Sequence, residues 1–290
     1  MEKTLTAETL PKIVTADMLA ETVYAAIPSL ACDVPADVLA ALQQAAREET
    51  DSRAVEVLSL LVENARVASQ DRVPICQDTG TVWVSLEIGP DITIAGDVFS
   101  GVNDAVARAY TEAALRKSVV RDALFDRANT GDNTPAFCDV HFTDKPGARV
   151  HIMLKGGGSD NASRVVMLPP SAGEVGIIDE VVKCVREKAA NACPPLIIGV
   201  GIGATFDKVG GLAKRALMRP IGIPAADEDA AALESKLLSA VNATGVGAGA
   251  LGGCHTALAV RVITAPCHIA AMPLAINMGC SATRRGTYEL

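Results

Sequence analysis

Apolar positions keep a helical period early in this chain and a strand period later. Val38, Leu42 and Ala45, just after Pro35, fall on one helical face, and Val55, Leu58, Leu61, Val62 and Ala65 do the same one element on. Residues 1–70 therefore read as a helical N-terminal segment packed on a main domain spanning 71–290. Trp83-Val-Ser-Leu-Glu-Ile88 alternates as a strand, and Arg149 to Leu154 is a second one. Between them, Asp97 to about Val120 has the spacing of an amphipathic helix ending in Arg116-Lys117. Ser171-Ala-Gly-Glu174 has the form of a capping box opening a helix through about Lys188, with Ile177, Ile178, Val181, Val182 and Val185 inward. A buried strand from Leu196 to Gly203, a helix from about Phe206, a helix from Asp227 to Val241 and a strand from Leu258 to Thr264 follow. The late strands lack regular helical crossovers, so they are expected to pair in both directions. The fold class is mixed α/β (α+β), with a helical lead-in and mixed sheets packed with helices.

Three polar stretches break this pattern. In Val73-Pro-Ile-Cys-Gln-Asp-Thr-Gly-Thr81 a thiol, an amide, a carboxylate and a hydroxyl follow one another, and no single core-facing stripe can hold four such groups. A bend between the proline and the glycine presents them together. Asn129-Thr-Gly-Asp-Asn-Thr-Pro135 has turn chemistry and almost no apolar content, which suits a surface loop or a site loop equally. Lys155-Gly-Gly-Gly-Ser-Asp-Asn161 follows a strand directly, and glycine amides beside a lysine can converge on an anion.

Composition narrows the function classes. The chain has 290 residues, 49% of them hydrophobic and only 3% aromatic, so burial rests on Ala, Val, Ile and Leu. The net charge of −8 argues against a nucleic-acid or anionic-membrane partner, and an anionic substrate then needs a local cationic pocket. Segments near 189–206, 237–260 and 262–283 are apolar enough to imitate membrane spans. Prolines, glycines, Asn, Cys and His interrupt them, and they read as buried strands and loops. Eight cysteines without a secretory start imply a reducing, cytoplasmic setting.

Gly199-Val-Gly201-Ile-Gly203 and Gly247-Ala-Gly249-Ala-Leu-Gly252 loosely imitate a dinucleotide loop, but neither is followed at the right distance by a ribose-binding acid. No cysteines form a C-x-x-C pair. A single cysteine is ordinarily a small buried hydrophobe. Cys76, Cys193 and Cys280 nevertheless sit in turns beside helix and strand breakers, and only a folded domain could bring them together. Three protein ligands around a metal centre leave one position open, as catalysis requires.

Pro74 to Gly80, Leu115-Arg-Lys-Ser118, Asn129 to Pro135, Lys155 to Ser159, Ala192-Cys-Pro-Pro-Leu-Ile-Ile-Gly-Val-Gly201 and His268 through Cys280, taken in order, resemble the iron-sulfur class I fumarate hydratase and L-tartrate dehydratase family. The resemblance implies a 4Fe-4S cluster bound by Cys76, Cys193 and Cys280 in an iron-sulfur hydro-lyase catalytic domain. It implies an α subunit with a separate β subunit, in an α2β2 assembly. Gln77, Asp78, Arg116, Gly156 and Gly157 match its substrate-contacting motifs, and His268 a histidine before the third cysteine. Cys267 and Ser281-Ala-Thr283 depart from the pattern.

The implied reaction is the reversible hydration of fumarate to L-malate, a step of the tricarboxylic acid cycle. L(+)-tartrate dehydration is its near neighbour. An open iron would act on the hydroxyl, Arg116 would take a carboxylate, and Asp78 with His268 would handle the proton. The competing readings are a noncatalytic metal-binding partner subunit and a nucleotide-dependent enzyme.

Overall fold

The stretch Leu196-Ile-Ile-Gly-Val-Gly-Ile-Gly-Ala204 alternates large side chains with none at all, and that alternation decides what can lie on each of its sides. The computed structural model describes residues 12–290. Its elements in chain order are β1 (Lys12–Val14), α1 (Ala16–Cys32), α2 (Ala36–Glu48), α3 (Ser52–Asp71), β2 (Thr81–Ile88), β3 (Ile92–Ile94), α4 (Val102–Glu112), β4 (Phe137–Phe142), β5 (Ala148–Lys155), α5 (Gly157–Asn161), β6 (Arg164–Leu168), α6 (Gly173–Lys188), β7 (Leu196–Ala204), α7 (Phe206–Ala216), α8 (Glu228–Asn242), β8 (Ala257–Cys267), β9 (Met272–Gly279) and β10 (Arg284–Glu289). The fold is mixed α/β, as the sequence predicts. The chain divides into two units: one holds the described residues up to Pro28, Val82–Ile152 and Gly286–Leu290, the other Ser29–Thr81 and Met153–Arg285.

In the first unit the sheet runs in the order β10-β5-β2-β4, and β1 pairs parallel with β3. Trp83 stands opposite Phe137 in the parallel β2–β4 pair, and its ring N–H donates to Asp139 at 2.9 Å. Helix α4 buries Val102, Ala105, Val106, Ala109 and Tyr110. It stops at Glu112, not at Val120, because Ala114 takes a left-handed φ of 51° that an α-helix cannot continue through. Arg116 and Lys117 thus lie beyond the helix. The loop 129–135 is tied down by its own side chains: Asn129 donates to the Lys117 carbonyl at 3.0 Å, and buried Asn133 accepts from the Ser118 amide at 2.7 Å.

In the second unit the sheet order is β6-β9-β7-β8, with β7–β8 parallel and both β7–β9 and β6–β9 antiparallel. Ile198 and Val200 of β7 enter a core shared with Val181 and Val185 of α6 and Leu237 of α8. Gly199 and Gly201 point the other way, toward α7. A Cβ on Gly199 would lie 2.1 Å from the Ala213 carbonyl, and one on Gly201 2.5 Å from that of Val209. This glycine pattern therefore serves close packing of helix on strand.

The α6 capping box does not form. A 3-10 turn at Pro170–Ala172 leads into the helix, Ala172 is the N-cap without a side-chain bond, and Glu174 instead accepts from Lys236 at 2.7 Å. Helix α2 buries Val38, Leu42 and Ala45 as predicted. On α3 the buried stripe is Ala54, Leu58, Ala65 and Ala68, while Val55, Leu61 and Val62 stay partly exposed. Among the described residues the one helical stretch long and apolar enough to cross a membrane is Ala16–Glu48, which is α1 and α2 interrupted at residues 33–35. Of the late apolar segments, 189–206 holds β7 and 262–283 the end of β8 and all of β9, while 237–260 is the end of α8, a glycine loop and the start of β8.

Candidate active site

Strand direction brings the first two cysteines together. β7 and β9 run antiparallel with Ile197 opposite Gly279, so the residues just before β7 and just after β9 emerge at the same end of the sheet. Cys193 precedes β7 and Cys280 follows β9, and the Ser281 amide donates to the Cys193 carbonyl at 3.1 Å. Cys193 ends a 3-10 turn at φ 55°, an uncommon conformation for a residue with a side chain and one that clusters at functional sites. It is supported from behind, where the Gly249 amide donates to the Pro194 carbonyl at 2.8 Å.

Cys76 arrives from the turn after α3. Ala65 and Ala68 of that helix pack with Ile75 and Cys76, and Asn64 donates to the Ile75 carbonyl at 2.9 Å. Gly80 closes the turn at φ 83°, where a Cβ would come within 2.8 Å of the Lys155 backbone. Cys76, Cys193 and Cys280 line one cavity of about 180 Å³, walled by Leu42, Leu61 and Ile75. All eight cysteines are free thiols.

Sulfurs and a carboxylate crowd this end, with cations beside them. Cys193 is exposed at the residue level, but partial desolvation of its sulfur pushes the thiol up, and the nearby Cys280, Cys76 and Asp78 side chains push it further. Asp78 is held at both oxygens: the Gly157 amide donates to one at 2.7 Å and the Gly80 amide to the other at 3.0 Å. Its own amide points at the Cys76 sulfur, 3.4 Å away. Lys155 is buried, donates to the Met278 carbonyl and to Ser159, and burial brings its ammonium down to about 8. Arg284 is 2% exposed, and its Nε and one terminal nitrogen have no hydrogen-bond partner among the described residues. Its other terminal nitrogen lies 3.6 Å from where a Gly156 Cβ would be, a point only 3.2 Å from the Asp78 carboxylate.

The predicted residues do not all gather here. Gln77 is exposed and accepts from the Cys76 thiol at 3.4 Å. Gly157 gives its amide to Asp78, so this glycine orients a carboxylate. Arg116 belongs to the first unit. His268 goes elsewhere: it lies just past β8, and β8 runs parallel to β7 with Cys267 opposite Ala204. The stretch of β7 between Ile197 and Ala204 separates it from the Cys280 end by about 23 Å, at ~3.3 Å per residue. His268 is exposed, and its Nδ1 accepts from the Ala270 amide at 3.1 Å. It cannot share a proton with Asp78 of its own chain. Arg284 is the cation that sequence reasoning missed. The signal available was an arginine pair four residues past Cys280, in a segment otherwise poor in charge.

Three thiols in one cavity are a donor set for a soft metal or an iron-sulfur group. The family model for fumarate hydratase (Fumerase) matches residues 20–289. A protein of Methanocaldococcus jannaschii named putative L(+)-tartrate dehydratase subunit alpha is 37% identical over 258 residues, covering 87% of this chain and 90% of that protein. The L(+)-tartrate dehydratase subunit alpha of Escherichia coli strain K12 is 32% identical over 258 residues, covering 88% of this chain and 84% of its own length.

Proposed function

This chain belongs to the fumarate hydratase (Fumerase) family, and from that premise we propose that it is the α subunit of a hydro-lyase acting on a four-carbon 2-hydroxy dicarboxylate, with a 4Fe-4S cluster held by Cys76, Cys193 and Cys280. The observation that carries the reading is the single cavity lined by three free cysteines from distant parts of the chain. Three sulfur donors converging on one cavity beside a carboxylate are what a cationic iron-sulfur centre takes as ligands, so the donor set fits the group. When bound, the cluster supplies a Lewis acid that makes hydroxide a feasible leaving group.

The chain's own residues supply position and proton. Asp78 stays in one orientation because two backbone amides grip its two oxygens, and in this reading it carries the proton that joins or leaves the departing water. Arg284 offers unpaired N–H donors beside it, and with Lys155 gives a net-anionic protein a local cationic pocket for a diacid. Gln77 and the forked donors of Arg116 are assigned to further substrate oxygens, and Gly156 to close approach of the backbone. His268 has no part in the site of its own chain. The "subunit alpha" names of the relatives support a separate β subunit; the α2β2 assembly and the placing of the base at carbon on that subunit are part of the same proposal. Eight free thiols suit a reducing cytoplasm.

Hydration of fumarate to L-malate is the first reading of the substrate. L(+)-tartrate is the second, favoured by the names of both relatives. The test is α and β chains reconstituted anaerobically with iron and sulfide, then offered fumarate, mesaconate and L(+)-tartrate in turn. The expected result is a brown α chain and turnover of at least one diacid. Colourless protein, or brown protein that turns over none of them, would overturn the proposal.

A further inference from the structure

A second group of metal-ligating side chains lies outside the three-cysteine cavity, where α2 turns into α3. Glu49 sits in that corner with its side chain fully shielded from solvent, and among the described residues its only ion-pair partner is His255. A buried carboxylate without an arginine or lysine ordinarily has its charge met in another way. Here the thiol of Cys254 lies 3.3 Å from one Glu49 oxygen, the His255 Nδ1 lies 3.1 Å from the other, and sulfur and Nδ1 are 3.3 Å apart. In a tetrahedral zinc site, with Zn–S about 2.3 Å and Zn–N or Zn–O about 2.0 Å, ligand atoms stand roughly 3.3–3.6 Å from one another. The sulfur–nitrogen edge is within a few tenths of an ångström of that spacing, and each of these two atoms also stands about that far from one oxygen of the Glu49 carboxylate, the sulfur from one and the nitrogen from the other.

We propose that Glu49, Cys254 and His255 bind a zinc ion, at a site distinct from the three-cysteine cavity. The groups around the triangle suit that role. Backbone amides of Thr50 and Asp51 donate to one oxygen of Glu49, at 2.9 and 3.1 Å, and that of Cys254 to the other at 2.9 Å, which fixes the carboxylate plane. Glu48 lies 3.8 Å from the His255 Nε2, on the side where a carboxylate favours the proton on that nitrogen and frees Nδ1 as a ligand. Loss of the thiol proton leaves two negative ligands and a neutral imidazole, which balance a divalent cation. One sulfur, one nitrogen and one oxygen select zinc over magnesium or calcium. Cys254 is exposed, so water can take the fourth position.

The location implies a structural consequence. The ion would join the α2–α3 corner to the glycine loop before β8, and that loop carries Gly249, whose amide supports the Cys193 turn through Pro194. Zinc at this site braces the cysteine end from behind.

The test uses the anaerobically reconstituted α/β protein with its three-cysteine cavity loaded, so that zinc cannot settle there, followed by zinc exposure and dialysis. The expected result is one zinc retained per α chain, X-ray absorption showing a single sulfur ligand, and loss of that zinc in Cys254→Ser and His255→Ala with iron and sulfide unchanged. Glu48→Gln should weaken zinc binding by about tenfold or more. Zinc retained equally by wild type and both variants, zinc with several sulfur ligands, or no zinc retained would each overturn the assignment. If a variant fails to fold, the wild-type stoichiometry and ligand count still decide. The outcome does not depend on which diacid the enzyme uses.

Discussion

The sheet β6-β9-β7-β8 has two ends, and each displays cysteine beside a group able to carry a proton. At one end Cys193 and Cys280 meet Cys76 around a cavity walled by aliphatic side chains, with Asp78 locked by two amides and Arg284 buried alongside. At the other end Cys267 and His268 form an exposed turn with Ile269, which is 92% exposed. Their side chains bond within the turn itself: the Cys267 thiol donates to the Ala271 carbonyl, and the His268 Nδ1 accepts from the Ala270 amide. Residue type is similar at the two ends, but environment is not. Convergence of three thiols on one cavity makes them ligand candidates, whereas a solitary thiol with a local hydrogen bond is an ordinary turn residue.

The strongest way to break this contrast is to remove a sulfur from each end. Cys193→Ser should lose most of the iron, and with it turnover by about a thousandfold or more, since a Lewis acid supplies several kcal/mol of barrier lowering. Cys267→Ser should keep iron, measured as iron and sulfide per α chain. Equal loss in both variants would show that the ends are not different in kind.

Next in size is the carboxylate. Asp78→Asn should lower kcat by about a hundredfold with iron content unchanged. His268→Gln should also keep its full iron. If it nevertheless lost turnover, the far end of the sheet would have to serve the site of another chain.

Arg284→Met should raise KM for the diacid by about ten- to a hundredfold, the value of a charge-assisted hydrogen bond of ~1.5–3 kcal/mol, with Arg284→Lys recovering part of the loss. Unchanged steady-state kinetics in the Met variant would remove Arg284 from the substrate pocket.

The smallest expected effect concerns the brace beside this end. Burial alone would raise the Asp37 carboxyl, but the Ile221 amide at 2.8 Å and the Arg285 guanidinium at 2.6 Å outweigh it and hold it below its ordinary value of 3.8. A carboxyl held down by folding adds stability above its unfolded value, and that stability is lost as pH falls through the folded one. Asp37→Asn should therefore cost on the order of 1–2 kcal/mol at pH 7, and the difference from wild type should shrink below about pH 4 in urea unfolding. A difference independent of pH would mean that Asp37 acts by packing.

Much of the fold was legible because period and breakers are local properties. The strands at 81–88, 148–155 and 196–204 and the helices α7 and α8 follow directly from alternation, apolar spacing and the Asp227 cap. Misreadings arose where a single backbone angle or an outside partner intervened. Ala114 ended α4 ahead of Arg116, and Lys236 drew Glu174 away from its capping box. Without a ribose-binding acid the Gly199-Val-Gly201 spacing does not make a dinucleotide loop, but only the position of α7 shows that the missing side chains make room for a helix.

By itself the sequence determined the element types, the turns that carry Cys76, Cys193 and Cys280, and the motifs that identify the family, since these depend on neighbours a few residues apart. Tertiary structure alone decided that Cys280 emerges beside Cys193 while His268 lies about 23 Å away, that Arg284 is buried next to Asp78, and that Glu49 meets residues 254 and 255. Strand direction and register set those distances, and both follow from long-range pairing that no local pattern encodes.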